Sequence, residues 1–201
     1  MFGGKTREFL RRISIEEAFE KKVQLFKHPF DNRYSPGCVC SHDGVQKPAI
    51  VVASAVEIQQ RLDPGARIIG ISEVQFYDGA IVNLCYDLAN TGKTVIAEGL
   101  FRDFRGELFS FAGDKDKPIK RNISDLIVIA DLTVYLYPKC KHELEEGVFC
   151  EKEAPFIQRV FNGTKNPVPY DFDVVHPGAR EYIPYCRQHY KFYPENRHLR
   201  L

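Results

Sequence analysis

Short apolar runs alternate with amphipathic stretches through the first half of the chain. Residues 6–19 predict a helix and lead to a strand over 22–27. Residues 28–37 are dense in Pro, Asp, Asn, Ser and Gly and predict a loop. A short strand over 49–52 precedes Ser54, which should cap a helix over 55–62 with Glu57 at its third position. Arg67-Ile-Ile-Gly-Ile71 is a continuous apolar strand, as expected when both faces of a sheet are covered. A helix over 78–90 follows, with Ile81, Val82, Leu84, Cys85 and Leu88 on one face and Thr91-Gly92 ending it. Residues 94–97 form the next buried strand. Alternation of this kind predicts an α/β fold with a parallel sheet flanked by helices, and ligands at the carboxyl ends of its strands.

The pattern breaks after about residue 105. Residues 114–121 are a charged loop, and 123–134 read as helical and then extended. From residue 135 the chain is turn-rich, with Pro at 138, 155, 167, 169, 177 and 184. Two parts are therefore expected: an α/β domain over 1–134 and a small appended subdomain over 135–201, held together by metal.

Size and charge narrow the classes. A chain of 201 residues should bury roughly 70% of its unfolded surface, enough for a core without disulfides. Lys and Arg number 28 against 27 Asp and Glu, a net charge of +1, which gives no electrostatic case for binding a nucleic acid polymer or an anionic membrane. No apolar run approaches the ~20 residues that span a bilayer, and the N-terminus lacks the marks of a signal peptide. A cytoplasmic protein is the default, which makes the Asn-x-Ser/Thr matches at Asn122 and Asn162 chance occurrences.

Candidate chemistry begins at the N-terminus. Gly3-Gly4-Lys5-Thr6 reads as the second half of a phosphate-binding loop, G-x-x-x-x-G-K-S/T. In such a loop backbone N–H groups cradle phosphates, the Lys reaches the β- and γ-phosphates and the Thr hydroxyl meets Mg²⁺. The helix that follows would direct its positive end at the same phosphates. Glu73 ends the apolar strand Ile69-Gly-Ile-Ser72, where a carboxylate meets Mg²⁺ or activates a nucleophile; a solvated strand-end Glu is the alternative. Arg105 beside Gly106 suits a phosphate contact, as well as an exposed salt-bridged loop.

Of the six Cys, Cys85 reads as a core residue, and Cys38 and Cys40 beside Pro36-Gly37 as loop residues. Cys186-Arg-Gln-His189 offers two ligands at zinc spacing, and Cys150 and Cys140 would complete a closed Cys₃His site. His142 could replace Cys140, and free buried thiols beside a surface His remain an alternative.

Taken in order, these segments resemble the thymidine kinase family, in its cellular and bacterial form with an appended zinc subdomain. The family's loop G-P-M-F-x-G-K-S/T-x-x-L-x-R-R is matched by Met1-Phe-Gly-Gly-Lys-Thr-Arg-Glu-Phe-Leu-Arg-Arg12. K-x-x-x-D-x-R-Y-S is matched by Lys27 to Ser35, V-I-G-I-D-E-x-Q-F-F by Ile68 to Tyr77, and L-A-N-x-G-K-x-V-I by Leu88 to Ile96. G-L-D-x-D-F-R-G-E-P-F is matched by Gly99 to Phe109, C-x-x-x-A-x-x-x-Q-R by Cys150 to Arg159, and V-x-x-G-A-x-x-Y-x-x-x-C-R-x-H-Y by the segment from Val174–Val175 through Cys186 to Tyr190.

The resemblance implies transfer of the γ-phosphoryl group of ATP, with Mg²⁺, to the 5′-hydroxyl of thymidine or deoxyuridine. It assigns Gly3, Gly4, Lys5, Thr6, Asp31, Arg33 and Arg105 to ATP and Mg²⁺, and Glu73 to the hydroxyl proton. Phe76, Phe104, Phe109, Val174, Gly178 and Tyr182 would contact the nucleoside. A structural Zn²⁺ would sit at Cys140, Cys150, Cys186 and His189, and a homotetramer is implied.

The chain departs from the pattern at defined places. It begins at the third residue of the family's loop, so an upstream start and a preceding strand are expected. Ser72 stands where the family has a Mg²⁺-linked Asp, Phe101 replaces an Asp, Ile157 replaces a Thr, and Gly147 stands where the first zinc Cys should be. These departures carry a second reading, a nucleotide-binding homologue serving as a structural or partner subunit.

Overall fold

The computed structural model describes residues 2–31, 37–174 and 181–194. The chain divides into two compact units, one of residues 4–100 with 109–133, the other of residues 1–3, 101–108 and 134–201.

The first unit is a parallel sheet with helices. In chain order it contains α1 (Lys5–Ala18), β1 (Val23–Lys27), β2 (Cys38–Cys40), β3 (Gln46–Pro48), β4 (Ile50–Val51), α2 (Ala55–Gln60), β5 (Ile68–Ser72), α3 (Ala80–Asn90), β6 (Thr94–Ala97) and α4 (Ser124–Ile129). The sheet order is β4-β1-β5-β6 with every neighbouring pair parallel. All five residues of β5 are buried, which is why its sequence is a continuous run rather than an alternation. Phe9, Leu10 and Ile13 of α1 recur at helical spacing and pack with Leu25, Val39 and Ile68.

Local chemistry sets the element ends. The Ser54 hydroxyl accepts the Glu57 N–H at 3.2 Å, while the Glu57 carboxylate accepts the Ala53 N–H, one residue further back than a capping box requires. After α3, Gly92 takes a φ of 81°. Its N–H bonds the Ala89 carbonyl and that of Lys93 bonds Leu88, the paired closure for which glycine is suited. Asp114, from a distant turn, accepts the Gly79 N–H at 3.0 Å at the start of α3. Among the described residues no helix is long and apolar enough to cross a membrane.

Some sequence expectations shift. Cys38 and Cys40 lie in β2, which pairs antiparallel with β3 and buries Val39, so the segment is a hairpin rather than a loop. The helical part of 123–134 is α4 alone. The strand expected to be buried over 94–97 forms as β6 beside β5, but Thr94 and Ala97 are exposed and Val95 and Ile96 half-buried.

The second unit is built from hairpins. Strands β7 (Glu143–Glu145) and β8 (Val148–Phe149) form one, and β9 (Phe156–Arg159) and β10 (Tyr182–Tyr185) pair antiparallel. One core gathers Cys140, Ala154, Phe156, Tyr185, Cys186 and Tyr190, and another Phe104, Val168 and Tyr193. The Tyr190 hydroxyl donates to the Phe104 carbonyl at 2.7 Å.

Candidate functional site

In the first unit, charge converges where α1 begins and β5 and β6 end. Gly4 turns the chain with a φ of 74°, a conformation that a Cβ would strain, and α1 starts at Lys5. The Lys5 Nζ lies 3.7 Å from the Glu98 Oε2. Thr6, half-buried, occupies the first turn, where helix N–H groups and the helix dipole favour an anion.

Glu98 follows β6 directly and is buried. Its Oε1 accepts the Ser72 hydroxyl at 2.8 Å and the Glu73 N–H at 3.2 Å. Its Oε2 is buried and, among the described residues, accepts no hydrogen bond. Burial pushes the Glu98 carboxyl above the usual carboxylate range, the neighbouring Glu73 adds to this, and Lys5 opposes it.

Glu73 is buried and takes left-handed backbone angles, φ 50° and ψ 51°. That turn swings the chain out of β5 into a single 3-10 turn over Val74–Phe76. The Gln75 amide donates to the Glu73 Oε2 at 2.6 Å, and its Oε1 accepts the Leu100 N–H at 3.0 Å. Gln75 is fully buried, so it ties the Glu73 carboxylate to the chain leaving β6.

Phe76 lies in an aromatic group with His28, Phe30 and Tyr77; its ring is 5.8 Å from His28 and 5.9 Å from Phe30. Burial lowers the His28 pKa. Phe109 is buried. Asp31 forms a buried ion pair with Lys27 at 3.3 Å, and Lys27 also donates to the Cys38 carbonyl. Arg33 lies outside the described residues.

In the second unit, Gly3 packs so closely on the Leu136 carbonyl that a Cβ would approach it to 2.5 Å. The turn at 103–107 is knotted by Asp103, whose carboxylate accepts the N–H groups of Arg105 and Glu107 and the Arg105 Nε at 2.9 Å. The Arg105 guanidinium lies over the Tyr170 ring at 5.0 Å and near Phe104. The Tyr170 hydroxyl donates to Glu107 at 2.6 Å, and this bond pushes its pKa up to about 12. Val174 and Tyr182 pack against the Phe104 cluster, so these predicted nucleoside residues do come together. Gly178 lies outside the described residues.

The predicted metal ligands also meet. Ligand atoms of Cys140, Cys150, Cys186 and His189 all lie within 4.8 Å of one another. The Cys186 Sγ is 3.4 Å from the His189 Nδ1, the Cys140 Sγ 3.5 Å from the same nitrogen, and the Cys150 and Cys186 sulfurs are 4.0 Å apart. A tetrahedral Zn²⁺ with bonds of about 2.0–2.3 Å sets ligand spacings of roughly 3.5–3.8 Å, so the donor set and its size fit zinc. Burial pushes the Cys186 thiol up, but N–H groups of Gln188 and His189 and the facing Cys140 and Cys150 outweigh it and favour the thiolate.

His142 is not in the cluster; its ring stacks on that of His189 at 3.8 Å, so Cys140 is the cluster's fourth member. The long Cys140–Cys150 spacing is taken up by the β7–β8 hairpin, closed by the Cys150 N–H on the His142 carbonyl. Gly147 is its turn, with a φ of 75°, so glycine there serves the hairpin rather than the metal.

Sequence reasoning passed over Glu98, Gln75, Asp103 and Tyr170. Glu98 left a signal, an acidic residue closing the apolar run Thr94-Val-Ile-Ala97. Tyr170 left none, because its partner Glu107 is remote in sequence.

Comparison with known proteins gives the class. The family model described as thymidine kinase matches residues 1–190. A thymidine kinase of Thermococcus kodakarensis is 36% identical over 196 residues, covering 94% of this chain and 89% of that one. The chain belongs to the thymidine kinase family, and it is therefore a kinase.

Proposed function

We propose that the protein transfers the γ-phosphoryl group of ATP, as its Mg²⁺ complex, to the 5′-hydroxyl of thymidine or deoxyuridine, with Glu73 as general base. The observation that carries this reading is the buried Glu73 carboxylate at the end of β5, held by Gln75 in the same unit as the Lys5 ammonium. A base fixed in this way needs no reorganisation when the hydroxyl proton leaves. As the 5′-oxygen attacks the γ-phosphorus, its proton passes to Glu73, the bond to the bridging oxygen breaks and ADP departs. Gly3, Gly4, Lys5 and Thr6 hold the phosphates and Mg²⁺, and Arg105 neutralises phosphoryl charge. Phe76, Phe104, Phe109, Val174, Gly178 and Tyr182 contact the nucleoside, and Asp31 and Arg33 contact ATP and Mg²⁺, as the family resemblance implies. Cys140, Cys150, Cys186 and His189 hold a structural Zn²⁺ that takes no part in the chemistry. A cytoplasmic homotetramer is the assembly this reading expects.

The test is thymidine-dependent release of ADP by the protein and by Glu73→Ala. The reading expects turnover in the first and a loss of about 10²-fold or more in the second with the fold intact. Turnover by Glu73→Ala close to that of the unmodified chain would remove the base. Ser72, which brings no charge to the end of β5, favours the second reading of a nucleotide-binding partner subunit; MgATP binding with no thymidine-dependent turnover would support that reading.

A further inference from the structure

The end of β5 poses a problem of charge. A phosphate loop whose Thr hydroxyl meets Mg²⁺ is ordinarily matched by an Asp at the end of a neighbouring strand. In this chain Ser72 ends β5, and a hydroxyl supplies no negative charge.

The carboxylate nearest in register comes from the adjacent strand. Ile71 pairs with Ala97 across β5 and β6, so the next residues, Ser72 and Glu98, stand opposite one another. The Ser72 hydroxyl donates to the Glu98 Oε1 at 2.8 Å and the Glu73 N–H to the same oxygen at 3.2 Å. That leaves Oε2 buried without a hydrogen bond among the described residues, 3.7 Å from the Lys5 ammonium.

A carboxylate oxygen removed from water and given no hydrogen bond is costly, and more so beside a second carboxylate. A fold that only needed to fill this place would use an apolar side chain. The arrangement becomes favourable when a cation arrives, because both Glu98 and Glu73 then face positive charge. Lys5 alone does not fill that role, since it is itself assigned to the phosphates.

We propose that Glu98 is the positioning residue for the magnesium of MgATP, replacing at the end of β6 the carboxylate that Ser72 does not provide at the end of β5. Ser72 and the Glu73 N–H fix Oε1 and thereby leave Oε2 as the oxygen presented to the metal's water shell. The inference rests on the kinase reading of the same site.

The test measures binding rather than turnover. ATP is titrated calorimetrically into the unmodified protein, Glu98→Gln, Glu98→Asp and the double variant Ser72→Asp/Glu98→Ala, each with MgCl₂ and with EDTA, after thermal melts establish that each is folded. Glu98→Gln keeps the shape and removes the charge. The expected result is that Mg²⁺ tightens ATP binding to the unmodified protein, and that Glu98→Gln loses about 10- to 100-fold of the tightening. Binding in EDTA should be unchanged or stronger. The double variant should recover the Mg²⁺ effect, because it returns a carboxylate to β5, and it carries the test should Glu98→Gln fail to fold.

Equal Mg²⁺ effects in the unmodified protein and Glu98→Gln would overturn the proposal. Weakening by the same factor with and without Mg²⁺ would also overturn it, by showing that Glu98 only orients Lys5. ADP release with thymidine is followed in parallel: a Glu98-dependent Mg²⁺ effect without thymidine turnover supports the proposal and removes the thymidine reading alone.

Discussion

Gly70 stands opposite Leu25 in the β1–β5 pairing, and the Leu25 side chain occupies the space where a Cβ on Gly70 would lie. Such a Cβ would fall 2.4 Å from the Leu25 Cδ2, 2.9 Å from the Phe9 Cζ and 3.1 Å from the Ile13 Cδ1. The glycine is thus the recess that lets α1 settle on β5, and α1 is the helix that begins at Lys5. Gly70→Ala should cost about 1–3 kcal/mol of stability, the usual effect of overpacking a filled core. Urea denaturation of the two proteins side by side checks this.

Metal analysis of the purified protein should find about one zinc per chain, as one closed four-ligand site requires. Cys140→Ser should lower the zinc content, while His142→Ala should leave it unchanged, since the His142 ring packs beside His189 and Tyr185 but is not a member of the ligand cluster. Removing the metal with a chelator should lower the melting temperature, because zinc binding energy is folding energy for the hairpins around it.

Asp114 makes acid stability measurable. Burial alone would raise its carboxyl, but the Lys117 ammonium and the N–H groups of Gly79 and Arg121 outweigh that and hold it below the usual carboxylate range. A depressed folded pKa means the stabilisation is complete above the unfolded value of about 3.9 and is lost as pH falls through the folded one. Asp114→Asn should therefore cost about 1.5–3 kcal/mol near neutral pH. The gap between variant and unmodified protein should narrow below about pH 4. Thermal melts across that range give the answer, and a gap independent of pH would assign the effect to packing.

Gln75 offers a test of how the proposed base is held. Gln75→Met keeps the length but removes both the donor to Glu73 and the acceptor for the Leu100 N–H. Loss of orientation at the reacting group should lower kcat by about 10²-fold, while KM for ATP, read from the same kinetics, changes far less. A parallel rise in KM alone would mean that Gln75 supports binding instead.

The parallel sheet was legible chiefly from Ile68–Ser72, which is buried along its whole length and so appears as an unbroken apolar run. Helix ends were legible at Ser54 and Gly92, where one residue type performs the capping. Half of the Cys/His cluster was legible from Cys186-Arg-Gln-His189, since that spacing is local, and Cys140 and Cys150 come to it only through the fold. The short strands β2, β3, β7 and β8 were not, because two or three residues cannot display a period and their pairing is decided across a turn. Glu98 was hidden for a different reason: its meaning lies in Ser72, 26 residues away in the chain, and strand register alone brings the two together.

The backbone at Glu73 has one further consequence. A left-handed conformation at a residue with a side chain costs roughly 1–3 kcal/mol, and glycine would occupy the same angles, φ 50° and ψ 51°, without that strain. With Glu73 as the proposed base, thermostability and turnover pull this position in opposite directions. A selection scheme that rewards only heat resistance or soluble yield would be expected to accept Glu73→Gly and return a sturdier protein that has lost its proposed base. Any engineering of this kinase for durability has to hold that codon fixed or screen for phosphoryl transfer at every round.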